Sequence, residues 1–236
     1  MINQFSNIGA RHFSTNAENQ DFVFSLSNRY RCVISLADGV SMCRKAKAGA
    51  QTACTAITEL LIQKGDFFCD FEKEKIAEFS ISHILCELTQ IAESDKIPCE
   101  EYSSTVASVL YDRLSNRLLV LNLGDGIIIA TQGDACVILA KPADSTYGCY
   151  TTTTKNAALM TQATVMDATP FDSVTIFSDG AWKHIFTQNR LSGEISKMLT
   201  GRQYELLKVF LKAQNIDDDY SFISMDLSEK RRGSFA

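Results

Sequence analysis

Four aspartates stand where an apolar, strand-like run begins or ends. Asp38 and Asp179 end such runs and are each followed by glycine, Asp218 comes just before a run, and Asp21 opens one. A sheet holds a side chain rigidly at a strand end, and a neighbouring glycine lets a backbone carbonyl or a ligand approach. Carboxylate and carbonyl oxygens are the ligands that hard cations such as Mg²⁺ and Mn²⁺ prefer. Convergence of these strand ends would therefore build an all-oxygen cation site.

Each aspartate taken alone has a simpler explanation, because Asp-Gly is a common turn dipeptide and one such turn is more often structural than a ligand. Two other phosphate chemistries lack the residues they need. No cysteine has an arginine six residues later, so the loop of a cysteine-based phosphatase is missing. No G-x-x-x-x-G-K-[ST] segment occurs either, which excludes a Walker-type loop.

The elements that must position the aspartates can be predicted from apolar periodicity and turn-forming residues. Helices are expected at Ala46–Leu61, closed by Lys64 and Gly65, at Glu72–Ile91, and as three short stretches within Ala181–Lys212. The predicted strands are Asp21–Leu26, Cys32–Ala37, Thr105–Tyr111, Arg117–Leu123, Ile127–Thr131, Ala135–Leu139, Ala157–Val165, Ser173–Ser178 and Tyr220–Leu227. The four central strands are expected to form a meander of antiparallel hairpins, and Ser145–Lys155 is expected to be a loop.

Strands and helices do not alternate along this chain as they would in a parallel βαβ fold, so an α+β fold is predicted. A helical hairpin would cover one sheet and the later helices a second sheet, giving a β-sandwich with helices on its outer faces. We expect a single domain over residues 1–228, followed by a short basic tail at 229–236.

Composition excludes several functional classes. The net charge of −5 opposes binding to a nucleic-acid backbone, and no apolar run reaches membrane-spanning length. The first residues lack the basic and apolar blocks of a secretory signal, so a cytoplasmic protein with no membrane association is expected. None of the 8 cysteines forms a C-x-x-C pair, so zinc ribbons and thioredoxin-type sites are not indicated. Cys32, Cys54, Cys86 and Cys136 have apolar neighbours and are expected to be buried.

The order of short motifs along the chain resembles the metal-dependent protein phosphatase family, also called the type 2C protein phosphatases. The similarity spans about residues 8–226 and looks most like a small bacterial branch of the family. The segments that carry it are Gln20-Asp21, Ala37-Asp38-Gly39-Val40-Ser41, Ser103-Ser104-Thr105-Val106, Asn122-Leu123-Gly124-Asp125-Gly126, Ser178-Asp179-Gly180-Ala181-Trp182 and Asp218-Asp219-Tyr220-Ser221.

The resemblance implies a four-layer α-β-β-α sandwich of two antiparallel sheets, with a two-metal centre at one end. Asp38 would bridge both divalent cations, Mn²⁺ or Mg²⁺, and the Gly39 carbonyl would bind one of them. Asp179 and Asp218 would hold the other cation, and with Asp38 they form the expected catalytic set. Asp21 would lie beside the centre, as a ligand through water or as an orienting group.

Three further residues receive roles from the same resemblance. Asp125, together with Asp179, matches positions that can recruit a third, looser cation. Arg11 and His12 are the candidates for binding phosphate. The implied reaction is hydrolysis of phosphoserine and phosphothreonine in proteins by a metal-activated water, opposing a serine/threonine kinase.

An alternative remains open at this point. Gln20 stands where many relatives have glutamate, and the loss of one negative charge would weaken the hold on the second cation. The chain could therefore be a weak or inactive phosphatase-like protein that binds phosphoproteins or a partner without turnover. The physiological substrate, the partner kinase, the native metal and the oligomeric state are not specified by the sequence.

Overall fold

Two five-stranded antiparallel sheets form the centre of the molecule in a computed structural model that describes residues 1–142, 149–187 and 190–227. The expected basic tail at 229–236 and residues 145–148 of the expected loop lie outside these ranges. The first sheet runs in the order β1 (Ile2–Asn7), β12 (Tyr220–Asp226), β9 (Ser173–Phe177), β6 (Ile127–Gln132) and β7 (Ala135–Ala140). The second runs in the order β2 (Asp21–Ser27), β3 (Arg31–Asp38), β4 (Val106–Asp112), β5 (Arg117–Leu123) and β8 (Gln162–Asp167).

Helices cover the outer face of each sheet, which confirms the α-β-β-α sandwich. The long pair α2 (Ala46–Phe68) and α3 (Lys73–Asp95) packs on the second sheet, with a 3₁₀ turn at Cys99–Tyr102 after it. The first sheet is covered by α5 (Asp179–Ile185), α6 (Gly193–Thr200) and α7 (Tyr204–Ala213). The remaining elements are α1 (Ala10–Ser14), α4 (Ala157–Met160) and a small hairpin of β10 (Phe186–Thr187) and β11 (Arg190–Leu191).

Apolar side chains fill the three spaces between the four layers. The middle core contains inward-facing residues of both sheets, such as Ile34, Val109, Ile176 and Ile223, all of them fully buried. Successive side chains of a strand point to opposite faces, so the other face of each sheet packs against its covering helices. In the described part of the chain, no helix combines the length and the apolar character needed to cross a membrane.

The first long helix passes through the glycine that was expected to end it. A Cβ atom on Gly65 would lie 2.4 Å from a side-chain carbon of Leu110 on β4, so glycine is needed there for close packing of helix on sheet. The helix then continues to Phe68. Gly65 is therefore a packing residue, and its interpretation as a helix terminator was wrong.

The four central strands do not form one meander, because the chain changes sheets between β5 and β6. Strands β4 and β5 pair with each other, as do β6 and β7, but these pairs belong to different sheets. The change occurs at Gly124-Asp125-Gly126, where Gly124 has φ +110°, a conformation that favours glycine. Asn122 holds the turn by donating hydrogen bonds to the carbonyls of Gly126 (3.0 Å) and Lys141 (3.1 Å).

Other differences concern short or marginal elements. The run expected as a strand from Ala157 begins as the helix α4, and the strand β8 starts only at Gln162. The N-terminal strand β1 was not predicted. On α3, Phe79 is 52% exposed, and Cys86, which was expected to be buried, is exposed. Both lie on a helix whose buried stripe is narrow, so a shift of one position reverses the assignment.

Candidate active site

Strand pairing brings two of the predicted aspartates face to face. In the hairpin of β2 and β3, Asp21 is the direct partner of Asp38, because the first residue of one strand meets the last residue of the other. The backbone of Asp38 is fixed from the neighbouring strand: the Thr105 N–H donates to its carbonyl at 2.8 Å. The Gly39 N–H donates to the Gln20 carbonyl at 3.2 Å, which closes the end of the hairpin.

The first sheet contributes the other aspartates at the same end of the sandwich. Beyond β9, Ser178 and Ser221 exchange hydrogen bonds, the Ser178 N–H donating to the Ser221 carbonyl at 3.0 Å and the Ser221 N–H to the Ser178 hydroxyl at 2.9 Å. Asp179 follows at once and starts α5. A Cβ on Gly180 would lie 2.1 Å from the Asp219 carbonyl oxygen, so the Asp-Gly sequence permits a close approach of the two segments.

Asp219, to which the sequence assigned no role, connects three segments next to this cluster. Its carboxylate is 1% exposed and accepts hydrogen bonds from the Gly9 N–H (2.9 Å), the Gln20 N–H (2.6 Å) and His12 Nδ1 (2.9 Å). The start of β2, the N-terminal segment and the start of β12 are thus joined through one side chain. A charged acceptor with several donors is stronger than a neutral one, so this contact is a rigid brace.

Arg11 and His12, the two candidates for phosphate binding, have different surroundings. His12 is buried and directed at Asp219, away from solvent. Arg11 lies at the rim, where its Nη2 donates to Asp218 Oδ1 at 3.1 Å and its side chain is half exposed. The placement of Arg11 leaves it accessible to an anion, whereas the hydrogen bond and burial of His12 give that residue a positioning role.

The helix α5 places a cation and an indole beside the cluster. Lys183 Nζ donates to Asp179 Oδ2 at 2.6 Å. Trp182 Nε1 donates to the backbone carbonyl of Asp125 at 2.6 Å and so ties the helix to the turn where the chain changes sheets. Sequence reasoning gave neither residue a role at the site, although the four-residue spacing of Asp179 and Lys183 within a helix was a usable signal.

The aspartates act on one another electrostatically. Burial raises the pKa of Asp38 well above its usual value, and the charges of Asp21, Asp179, Asp125 and Asp218 raise it further. Burial also raises the pKa of Asp21, to about 7, opposed by the nearby hydroxyls of Ser221 and Ser178. The pKa of Asp125 rises through burial and the charge of Asp179. The charges of all five predicted acidic residues therefore act on one another at this end of the sandwich.

Several polar atoms of this cluster are buried without a hydrogen-bond partner among the described residues. Among the described residues, neither carboxylate oxygen of Asp21 has a hydrogen-bond partner, and the same holds for Asp179 Oδ1 and the side-chain oxygen of Gln20. Leaving a buried polar oxygen unpaired is unfavourable, and more so for a charged one. Such oxygens are what a bound cation would satisfy, so the donor set fits a hard divalent ion.

The cluster is nevertheless not a closed metal cage. Across residues 1–142, 149–187 and 190–227, no three carboxylate, imidazole or thiol groups are arranged closely enough to hold an ion together. The aspartates share a field and an end of the sandwich, with their side chains spread apart.

Comparison with known proteins identifies the family. The sequence matches the family model of protein phosphatase 2C over residues 8–212. The chain belongs to the protein phosphatase 2C family. A type 2C phosphatase is a protein serine/threonine phosphatase, and the predicted enzyme class and fold agree with this membership. A comparison with curated protein sequences found no match.

Solved structures with the same fold include two bacterial phosphatases. The serine/threonine phosphatase Stp1 from Staphylococcus aureus is 13% identical with a TM-score of 0.70, covering 96% of this chain and 94% of that one. The serine/threonine phosphatase of S. agalactiae is 16% identical with a TM-score of 0.68, covering 96% and 99%. RsbX in complex with magnesium is 12% identical with a TM-score of 0.59, covering 94% and 92%. At these identities the likeness establishes the type 2C fold alone.

Proposed function

We propose that this type 2C phosphatase hydrolyses phosphoserine and phosphothreonine in proteins with two divalent cations, Mn²⁺ or Mg²⁺, held at the aspartate end of the sandwich. The observation that carries the proposal is the pair of buried, unpartnered Asp21 oxygens facing Asp38 across the hairpin. A buried carboxylate in a field of other carboxylates requires either a proton or a cation. The magnesium bound by RsbX, a protein of the same fold, supports a cation at this site.

The proposed ligands are Asp38, the Gly39 carbonyl, Asp179 and Asp218, with Asp21 beside them. When bound, the cations supply activation of a water molecule and screening of the negative phosphate. The chain itself holds the aspartates in position through the hairpin of β2 and β3 and through the buried contact of Ser178 with Ser221.

Arg11 is the proposed phosphate-binding residue. A guanidinium offers paired donors that match phosphate oxygens, and the Arg11 side chain lies half exposed at the rim beside Asp218. A planar, permanently charged group at this place would orient the phosphate toward the cluster. His12 supports this arrangement from below through Asp219.

The proposed substrate is a phosphorylated protein produced by a serine/threonine kinase, in the cytoplasm. Among the described residues, the small hairpin and the helices α6 and α7 are the elements between α5 and β12, and these helices pack against the first sheet. Substrate choice would then depend on surfaces around an open site. Residues 1–228 are proposed to act as one domain, because the three cores span both sheets and all long helices.

The alternative, binding without turnover, rests on the neutral Gln20 side chain, whose oxygen is buried without a partner in the described residues. An amide attracts a cation less than a carboxylate does. Five aspartates remain in the same field, however, so the negative charge is sufficient for two dications and hydrolysis is the favoured function.

Activity should require a divalent cation. Protein prepared free of metal should hydrolyse p-nitrophenyl phosphate and a phosphothreonine peptide only after Mn²⁺ or Mg²⁺ is added, and EDTA should abolish the activity. Hydrolysis that continues unchanged in EDTA would exclude the metal-based function. Peptide binding without any hydrolysis at saturating Mn²⁺ would establish the alternative.

The stability of the metal-free protein should fall as the pH rises. Asp21 has a pKa near 7 when folded, against 3.8 ordinarily, so between these values the folded chain holds a proton that the unfolded chain has released. Stability then decreases with pH through this range. Thermal melting in EDTA from about pH 5 to about pH 8, which brackets the Asp21 pKa, should show the decline. Mn²⁺ should remove it, and Asp21→Asn should flatten it; a Tm in EDTA that rises with pH would contradict this assignment.

A further inference from the structure

Lys183 is a basic side chain that contacts Asp179 in the aspartate cluster. It extends from α5 one turn beyond Asp179 and donates to Asp179 Oδ2 at 2.6 Å. The charges of Asp179, Asp125 and Asp218 all act on the Lys183 ammonium. The hydrogen bond from Trp182 to the Asp125 carbonyl holds α5 in the position that makes these interactions possible.

This ion pair differs from an ordinary surface pair on a helix. Lys208 and Glu205 on α7 form a pair of similar length, 2.7 Å, but the Glu205 side chain is 82% exposed. The Asp179 side chain is 10% exposed, and its second oxygen has no partner among the described residues. Exposed pairs contribute little because water screens them, whereas the Lys183 charge acts on a carboxylate that has lost most of its water.

Charge balance indicates what this ammonium does. When ionised, the six carboxylates of the cluster carry six negative charges: Asp21, Asp38, Asp125, Asp179, Asp218 and the neighbouring Asp219. Two divalent cations supply four positive charges, and the side chains of Arg11 at Asp218 and Lys183 at Asp179 supply the other two. The ammonium lies at the side of the cluster formed by Asp125 and Asp179, where the family resemblance implies a third, looser cation.

We propose that the Lys183 ammonium serves as a tethered cation at the Asp125–Asp179 side of the cluster and thereby limits this chain to two bound divalent cations. The inference rests on the proposed metal-dependent function. A tethered charge competes at a high effective concentration, so a weakly held third ion would have to displace it. The two inner ions have more carboxylate ligands and are not blocked in this way.

Metal stoichiometry tests the proposal without measuring activity. Metal-stripped protein is titrated with Mn²⁺, and free Mn²⁺ is counted by electron paramagnetic resonance. The variants are Lys183→Gln and Lys183→Met, which remove the charge, and Lys183→Arg, which keeps it. Lys208→Gln is the control, because it removes a lysine that pairs at a similar distance with an exposed carboxylate on another helix. Circular dichroism confirms that each variant is folded.

Wild type, Lys183→Arg and Lys208→Gln should each bind two Mn²⁺, and both charge-removing variants should bind one more, weaker ion. In EDTA the charge-removing variants should also melt below wild type, with the difference abolished by Mn²⁺, because Asp179 loses the positive charge that contacts it. Wild type that binds three ions, or charge-removing variants that bind the same two ions as wild type, would overturn the inference and leave the proposed function intact. Wild type that binds no ion would overturn the proposed function itself, and the inference with it.

Discussion

Replacing Asp38 with alanine should reduce phosphatase activity by more than any other single change in the chain. Asp38 is the proposed ligand of both cations, and it lies opposite Asp21 at the end of the β2–β3 hairpin. Removing a residue that only supports a ligand typically lowers metal affinity or activity about 10–100-fold, so removing a shared ligand should cost on the order of 10³-fold or more. Initial rates at saturating Mn²⁺ measure the loss, and near-normal turnover would show that the site is assigned wrongly.

Replacing Asp38 with asparagine should increase the stability of the metal-free protein. Burial and four neighbouring aspartates raise the pKa of Asp38, so without metal its ionised form destabilises the fold. Asp38→Asn, which keeps the shape, should therefore raise the Tm in EDTA. Each kcal/mol added to the free energy of unfolding raises the Tm by about 2–4 °C in a chain of this size.

Asp112, on the strand next to β3 in the same sheet, is the matched control. Burial raises its pKa, but hydrogen bonds from the Ser115 and Leu114 N–H groups and from Arg31 outweigh this and lower it. Its ionised form therefore stabilises the fold above its ordinary pKa and this contribution is lost as the pH falls. Asp112→Asn should lower the Tm in EDTA at neutral pH. Equal shifts in both variants would mean that the aspartate cluster is not the origin of the Asp38 effect.

Much of the fold could be predicted because its signals are local. Strand β5 was predicted with its observed bounds, Arg117–Leu123, since turn-forming residues flank an apolar β-rich run. The four strand-end aspartates were identified for the same reason. Their convergence followed from the family resemblance, and the register of Asp21 with Asp38 supplies its structural basis.

Features that depend on distant parts of the chain could not be predicted. Whether β6 continues the sheet of β5 is decided by which partner packs best, and β9 is that partner. Strand β1 is an edge strand in which two of the six residues are exposed and none is buried, so its apolar alternation is weak. Gly65 does not end the helix α2, and its small size allows the helix to pack closely against Leu110 on β4. In each case the deciding contact is absent from the local sequence.

The Asp219 brace is the feature of the site that sequence reasoning missed, and it predicts the second large effect. Asp219→Asn should destabilise the protein and weaken Mn²⁺ binding together. Both oxygens of the Asp219 carboxylate accept hydrogen bonds, from Gly9, Gln20 and His12. An asparagine at this position would have only one acceptor oxygen, so its NH₂ group would face one of these three donors. A buried donor left unsatisfied costs about 1–3 kcal/mol, more where charge is involved.

The metal effect follows from what the brace positions. The Gln20 N–H that donates to Asp219 directly precedes Asp21, and the N-terminal segment held through Gly9 and His12 carries Arg11. Loss of the brace should therefore raise the Kd for Mn²⁺ on the order of ten-fold or more, as changes in residues that support ligands do. The control is Asp217→Asn, because Asp217 is an exposed neighbour in the same acidic run. Calorimetric titration and thermal melting in EDTA measure the two quantities. A fall in Tm with an unchanged Mn²⁺ affinity would make Asp219 a purely structural residue, and no change in either would show that its three hydrogen bonds do not position the site.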